Sequence, residues 1–174
     1  ENFTSIEVGT RASLMNNKMT VNAVYYNSTW NDRQANKYSQ NAEGQSIVAQ
    51  LEGLDQLHTG VEVEVAYQPM PLVRVDAALG LGNWTYTDDV KATYQDYDSG
   101  TKTTKEATIY LKDLHVGDSP QTQMALGITA FPMAGLTTRF LMKHNAELYS
   151  DFDPTTREDS GDRTESWKIP NFTT

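Results

Sequence analysis

GVEVEVAYQPMPLVRVDAALGLG (60–82) contains two strands and the turn between them. In its first half Val61, Val63, Val65 and Tyr67 fall on one side, while Glu62 and Glu64 fall on the other. A period of two is the side-chain alternation of a β-strand and does not fit a helix. QPMPL (68–72) then breaks the pattern with two prolines, which cannot donate to a sheet ladder. After it Val73, Val75, Ala77, Leu79 and Leu81 alternate with Arg74, Asp76, Ala78, Gly80 and Gly82. Both strands put a clean aliphatic row opposite a row that carries charge.

The same grammar extends in both directions. Upstream, residues 4–14 place Ile6, Val8, Ala12 and Leu14 opposite Ser5, Glu7, Gly9, Arg11 and Ser13. MNNK (15–18) is a turn signal, and MTVNAVYYNSTW (19–30) is a strand ending in aromatics. A Gln/Asn-rich loop is expected over about 31–45, and residues 46–52 read as a short extension above the next strand. Downstream, a long connection over about 88–119 contains one strand-like piece, TIYLK (108–112). The next strand carries Met124, Leu126, Ile128 and Ala130 against Gln123, Ala125, Gly127 and Thr129, and ends at FPMAG (131–135). The last full strand sets Leu136, Thr138, Phe140 and Met142 against Thr137, Arg139, Leu141 and Lys143. An acidic loop over about 149–165 follows, and SWKIPNF (166–172) begins another strand-like run.

The connections therefore run short, long, short, long, short, long. An antiparallel meander puts alternate connections at the same end of the sheet. All short turns lie at one end and all long loops at the other, which is the asymmetry of an outer-membrane barrel. Aromatics support two interface levels: Tyr25, Tyr26, Trp30, Trp84, Tyr86, Tyr149 and Phe152 toward the long loops, Tyr67 and Phe131 beside the short turns. The expected fold is all-β: an antiparallel up-and-down meander forming an open segment of a large transmembrane β-barrel.

Composition agrees. The 174 residues have no cysteine, which excludes disulfides and cysteine metal sites. A net charge of -9 and a pI near 4.7 argue against nucleic acid as a partner. Mean hydropathy is -0.58, and no apolar run approaches the roughly 20 residues of a spanning helix. Alternating strands average out as polar, so this leaves a membrane barrel open.

Six strands at about 4.8 Å spacing make a ribbon of about 29 Å, too narrow to close around side chains. Open edges in lipid leave backbone groups unsatisfied at several kcal/mol each. Residues 1–174 are thus expected to be one partial barrel domain whose remaining strands lie elsewhere, with both chain ends reading as cuts.

Several segments resemble TonB-dependent outer-membrane receptors of the Bacteroidetes type. They are ENFTSIEVGTRASLMNNKMTVNAVYYNSTWNDR (1–33), GLDQLHTGVEVEVAYQP (53–69), LHVGDSPQTQMALGI (114–128) and LYSDFDPTTREDSGDRTESWKIP (148–170). The resemblance covers nearly the whole chain and rests on the order and spacing of weak motifs. It implies a 22-stranded barrel in the bacterial outer membrane with a separate plug domain, coupled through the plug to the TonB complex. It also implies import of a scarce ligand such as a siderophore, haem, vitamin or glycan. No plug or TonB-box residue can be assigned within this chain.

On this reading Val61, Val63, Val65, Val73, Val75, Leu79, Leu126, Ile128 and Phe140 face lipid. Glu7, Arg11, Glu62, Glu64, Arg74, Asp76, Arg139 and Lys143 face the lumen, toward a plug or one another. His58, His115 and His144 lack metal-ligand spacing. Asp151, Asp153, Glu158, Asp159 and Asp162 could gather a hard cation, but interspersed Arg157 and Arg163 favour internal ion pairs. Sequons at Asn2, Asn27, Asn83 and Asn171 carry no glycan in a bacterial outer-membrane protein. No nucleophile constellation or phosphate loop occurs, so neither enzymatic activity nor a cofactor is expected. A secreted β-sandwich adhesin or glycan-binding module is the alternative, because it alternates too. The two part on whether the Val61–Phe140 set is exposed on one convex face or buried between two sheets.

Overall fold

A computed structural model describes residues 1–40, 44–98, 101–159 and 168–174. The strands are β1 (Asn2–Leu14), β2 (Met19–Gln40), β3 (Ser46–Met70), β4 (Val73–Tyr86), β5 (Val90–Asp98), β6 (Thr101–Ile109), β7 (Thr122–Met133) and β8 (Leu136–Ala146), with short pieces β9 (Leu148–Tyr149), β10 (Lys168–Ile169) and β11 (Phe172–Thr173). No α-helix occurs among the described residues. The main sheet runs β1-β2-β3-β4-β7-β8-β11, each neighbour antiparallel, and it does not close. The six alternating segments of the sequence thus form an up-and-down meander in chain order.

Local chemistry fixes the turns. Met15, Asn16 and Asn17 all have positive φ between β1 and β2, a conformation that asparagine tolerates better than most residues. Gly135 supplies the positive φ between β7 and β8. Pro71 and Leu72 join β3 to β4 in two residues. Tight turns hold each hairpin in step, so alternation in sequence becomes two-faced alternation across the sheet.

The long connections depart from expectation. Residues 31–40 continue β2, and residues 46–59 belong to β3, so these strands run 22 and 25 residues. Two bulges sit in this hairpin, at Asp32 and Gly53, both with positive φ. The second restores the register lost at the first, so Ala35 pairs with Leu51 in step with Thr29 and Leu57. Most of 88–119 is a second hairpin, β5–β6, whose β5 adds to the upper half of β3. TIYLK is only the end of β6: the chain leaves the sheet at Tyr110, whose amide donates to the Arg157 carbonyl.

The buried core lies in this upper region. It comprises Ile47, Ala49, Leu51, Leu54, Tyr86, Val90, Ala92, Tyr94, Ile109, Leu111, Leu114 and Phe152. The lower six-strand wall has no comparable core among the described residues.

Candidate functional site: the concave polar face and its cap

Cross-strand partners share a face, so the register assigns every wall residue to a side. One continuous row is Leu14–Met19–Tyr67–Val75–Ile128–Phe140, and the next is Ala12–Val21–Val65–Ala77–Leu126–Met142. Above them run Thr10–Ala23–Val63–Leu79–Met124 and Val8–Tyr25–Val61–Leu81. Val73 completes the set beside Ala130. All nine residues expected to face lipid therefore lie on one side. Among the described residues no second layer covers it: Val8 is 67% exposed and Phe140 63%.

The eight residues expected to face a lumen share the opposite side. Arg11–Asn22–Glu64–Ala78–Ala125–Lys143 forms one row across six strands. Glu62 lies one row above it, Glu7 one above that, Asp76 one below, and Arg74–Thr129–Arg139 the next below. A single concavity of about 760 Å³ is lined from Arg11 on β1 to Arg139 on β8. One hollow can span six neighbouring strands only if the sheet curves toward this polar face. The apolar face is consequently convex. Within the hollow Arg74 holds Asp76 at 2.7 Å through Nη2 and 2.9 Å through Nε, and Asn22 donates to Glu64 at 3.2 Å.

Toward the long-loop end the polar face becomes aromatic. Tyr26 pairs with Gly60, which pairs with Gly82, and Ser28 pairs with His58, which pairs with Trp84. The Tyr26 ring lies across Gly60, where a Cβ would fall 2.3 Å from the phenol oxygen and 2.6 Å from the Leu81 carbonyl. The Trp84 indole reaches over Gly82 and donates to Tyr26 Oη at 2.9 Å, and His58 stacks on it at 5.1 Å between centroids. These glycines give two rings room to lie flat on the sheet, the contact used to rescue glycine in strands. Gln121 clamps the Trp84 backbone, accepting from its N–H at 2.9 Å and donating to its carbonyl at 3.1 Å.

This arrangement corrects the two-girdle expectation. Tyr26, Trp30, Trp84 and Tyr86 occupy the concave side, and Phe152 is buried in the core. Phe131 lines the hollow, and Tyr149 stacks on His115 at 4.3 Å. Of the named aromatics, Tyr25 and Tyr67 lie in the rows of the apolar face. The parity of Trp84 and Tyr86, opposite to Val73–Leu81, carried this signal in the sequence, as did glycines within strands.

A cap closes over the concave side. Gln56 pairs with Tyr86 on the polar face, and Phe152 meets Tyr86 edge-on at 5.5 Å. The chain after β8 therefore turns inward across the upper sheet. A 3₁₀ turn, Pro154–Thr156, is capped by Asp153, which accepts from the Thr155 amide. Carboxylates tie this segment down: Asp151 to Lys37, Asp153 to the Ser39 hydroxyl at 2.8 Å, Glu158 to Lys105 at 2.7 Å. Burial pulls the Lys37 ammonium below its ordinary range. Burial pushes the Tyr94 phenol well up, and the Glu158 carboxylate beside it adds to this. Burial alone would raise Asp153, but hydrogen bonds from Thr155 and Ser39 outweigh it and leave the carboxyl low. A Thr122 hydroxyl at 2.8 Å leads the effects that lower Glu147.

Asp151, Asp153 and Glu158 are thus spent on the cap, and among the described residues no three ligating side chains converge on a metal position. Asp162 and Arg163 lie outside the described residues. The histidines are dispersed: His58 on Trp84, His115 on Tyr149, and His144 bonded to Thr173 at 2.7 Å. No family model, curated protein or solved structure matches this chain.

Proposed function

We propose that this sheet is part of the wall of a transmembrane β-barrel in a bacterial outer membrane, of the TonB-dependent receptor kind, whose protein imports a scarce ligand. One observation carries the reading: an uncovered convex apolar face backs directly onto a concave polar one. From Val73 to Leu81 the apolar stretch of β4 is about 27 Å along the strand. At a tilt of about 40° it spans about 20 Å, close to the apolar band of such barrels. In water, an apolar patch this large is an aggregation hazard, whereas lipid tails cover it at no cost. A β-sandwich needs a second sheet on that face, and among the described residues none packs there.

In this reading the two open edges pair with further strands, since bilayer tolerates no unpaired edge. The lumen lies on the side of Glu64 and Arg74, where a plug domain coupled to the TonB complex would sit. The cap leans over the lumen mouth, and the ligand, a siderophore, haem, vitamin or glycan, is met first by the upper sheet of β2, β3, β5 and β6. Membrane fractionation tests the assignment. The protein that contains this sheet should sediment with outer membranes and resist alkaline carbonate extraction, and its ligand uptake should collapse with a protonophore. Recovery as a soluble secreted species would overturn the proposal.

A further inference from the structure

The concave face is sorted by charge along its height. The two rows above the Arg11–Lys143 row carry only carboxylates, Glu7 and Glu62. Its lowest row carries Arg74 and Arg139 on either side of Thr129. Lys18 stands in the adjoining turn, its Nζ donating to the Pro69 carbonyl at 3.2 Å and its charge unmatched by a carboxylate among the described residues. Four cations line the hollow, Arg11, Lys18, Arg74 and Arg139, against two carboxylates, Glu64 and Asp76. The whole chain has a net charge of -9, so this hollow opposes the sign of its protein. Arg74 is matched by Asp76, whereas Arg139 has no carboxylate partner among the described residues.

We propose that the occupant of this hollow is an acidic polypeptide segment whose carboxylates meet Lys18, Arg74 and Arg139 at the short-turn rim. Size separates this from a small oxyanion. Followed along the curved sheet, the cations extend from the β1–β2 turn to β8, four to five strand spacings of about 4.8 Å, or roughly 20–24 Å of arc. An extended peptide of about six or seven residues spans that distance, and a phosphate does not. The sorting also orients the segment: acidic side chains low, neutral or basic ones above, opposite Glu7 and Glu62. Guanidinium forks add geometry, because each can take a carboxylate bidentately. The inference rests on the polar face being the one turned from lipid.

The test is an anisotropy titration of fluorescein-labelled hexaglutamate on the full chain in nonionic micelles, with hexalysine as control. Micelle incorporation is scored separately by light scattering, so a failed barrel reading is seen before any peptide is added. Hexaglutamate should bind, and should weaken as salt rises. R74Q/R139Q should weaken it about tenfold or more, and K18Q, a turn substitution outside the strands, by a few-fold. R74E/R139E should switch the preference to hexalysine. No hexaglutamate binding, or equal binding by R74Q/R139Q, would overturn the proposal. So would pyrophosphate binding more tightly than the peptide through the same two arginines, which assigns the hollow to a small anion.

Discussion

Phe152→Ala should loosen the cap and leave the wall intact. The ring is 6% exposed, meets Tyr86 edge-on at 5.5 Å and carries Lys37 Nζ 4.9 Å from its centroid. Losing its burial costs about 2–3 kcal/mol. The cavity left behind, the aromatic pair and the cation contact raise the sum to about 3–5 kcal/mol. That energy belongs to the core of Leu51, Leu54, Tyr86, Leu111 and Leu114, and the lower ladder shares none of these side chains. Native-state hydrogen exchange resolves such local openings. Amides of Tyr110, Leu114 and Asp118, which bond to Arg157, Leu111 and Tyr149, should lose protection by about that amount. Amides of β3 and β4 between Val61 and Leu81 should change by less than about 0.5 kcal/mol. Phe152→Leu, which keeps most of the volume, should cost about 1.5 kcal/mol or less. Equal loss of protection across wall and cap would refute the division into two regions.

Three other outcomes follow from the same geometry. Gly60→Val should destabilise the wall by about 2–3 kcal/mol or more in urea unfolding from micelles, since its Cβ meets both Tyr26 and the fixed Leu81 carbonyl; Tyr26→Ala should relieve only part of this. Asp153 is held low in the fold, so it stabilises the cap above the ordinary carboxylate range and this is lost as pH falls through its depressed value; proteolysis of 149–159 should rise below about pH 4, and Asp153→Asn should flatten that profile. Val65→Arg, near mid-height of the convex face, should cost about 2–4 kcal/mol in bilayers, whereas Ala66→Arg on the concave side should cost far less.

The wall was legible in sequence because its period of two is local and its turns are short. Val61–Val65 and Val73–Leu81 declare their faces without reference to anything distant. Residues 31–40 and 90–94 were not, because their polar composition masks strands with one inward face, partly buried at Ala35 and buried at Val90, Ala92 and Tyr94, that is completed by residues far along the chain. Leu51 needs Phe152 and Leu111 beside it before its burial makes sense. Gly53 and Asp32 reset the parity just where the pattern would have been read through. The polar side chains of the concave face could be grouped from sequence, since each is one residue away from an aliphatic one. Their sorting by height was not visible, because it depends on the register between strands.

The surroundings of Val61, Val63 and Val65 can be probed without interference, because the chain has no native cysteine. Single-cysteine variants at each position from 61 to 66, spin-labelled in lipid bilayers, report collisions with oxygen and with a water-soluble nickel chelate. Positions 61, 63 and 65 should favour oxygen, positions 62, 64 and 66 the chelate, with a clean alternation of two. Labels at 61, 63 and 65 that are shielded from both reagents, as beneath a packed protein layer, or that favour the chelate would contradict it.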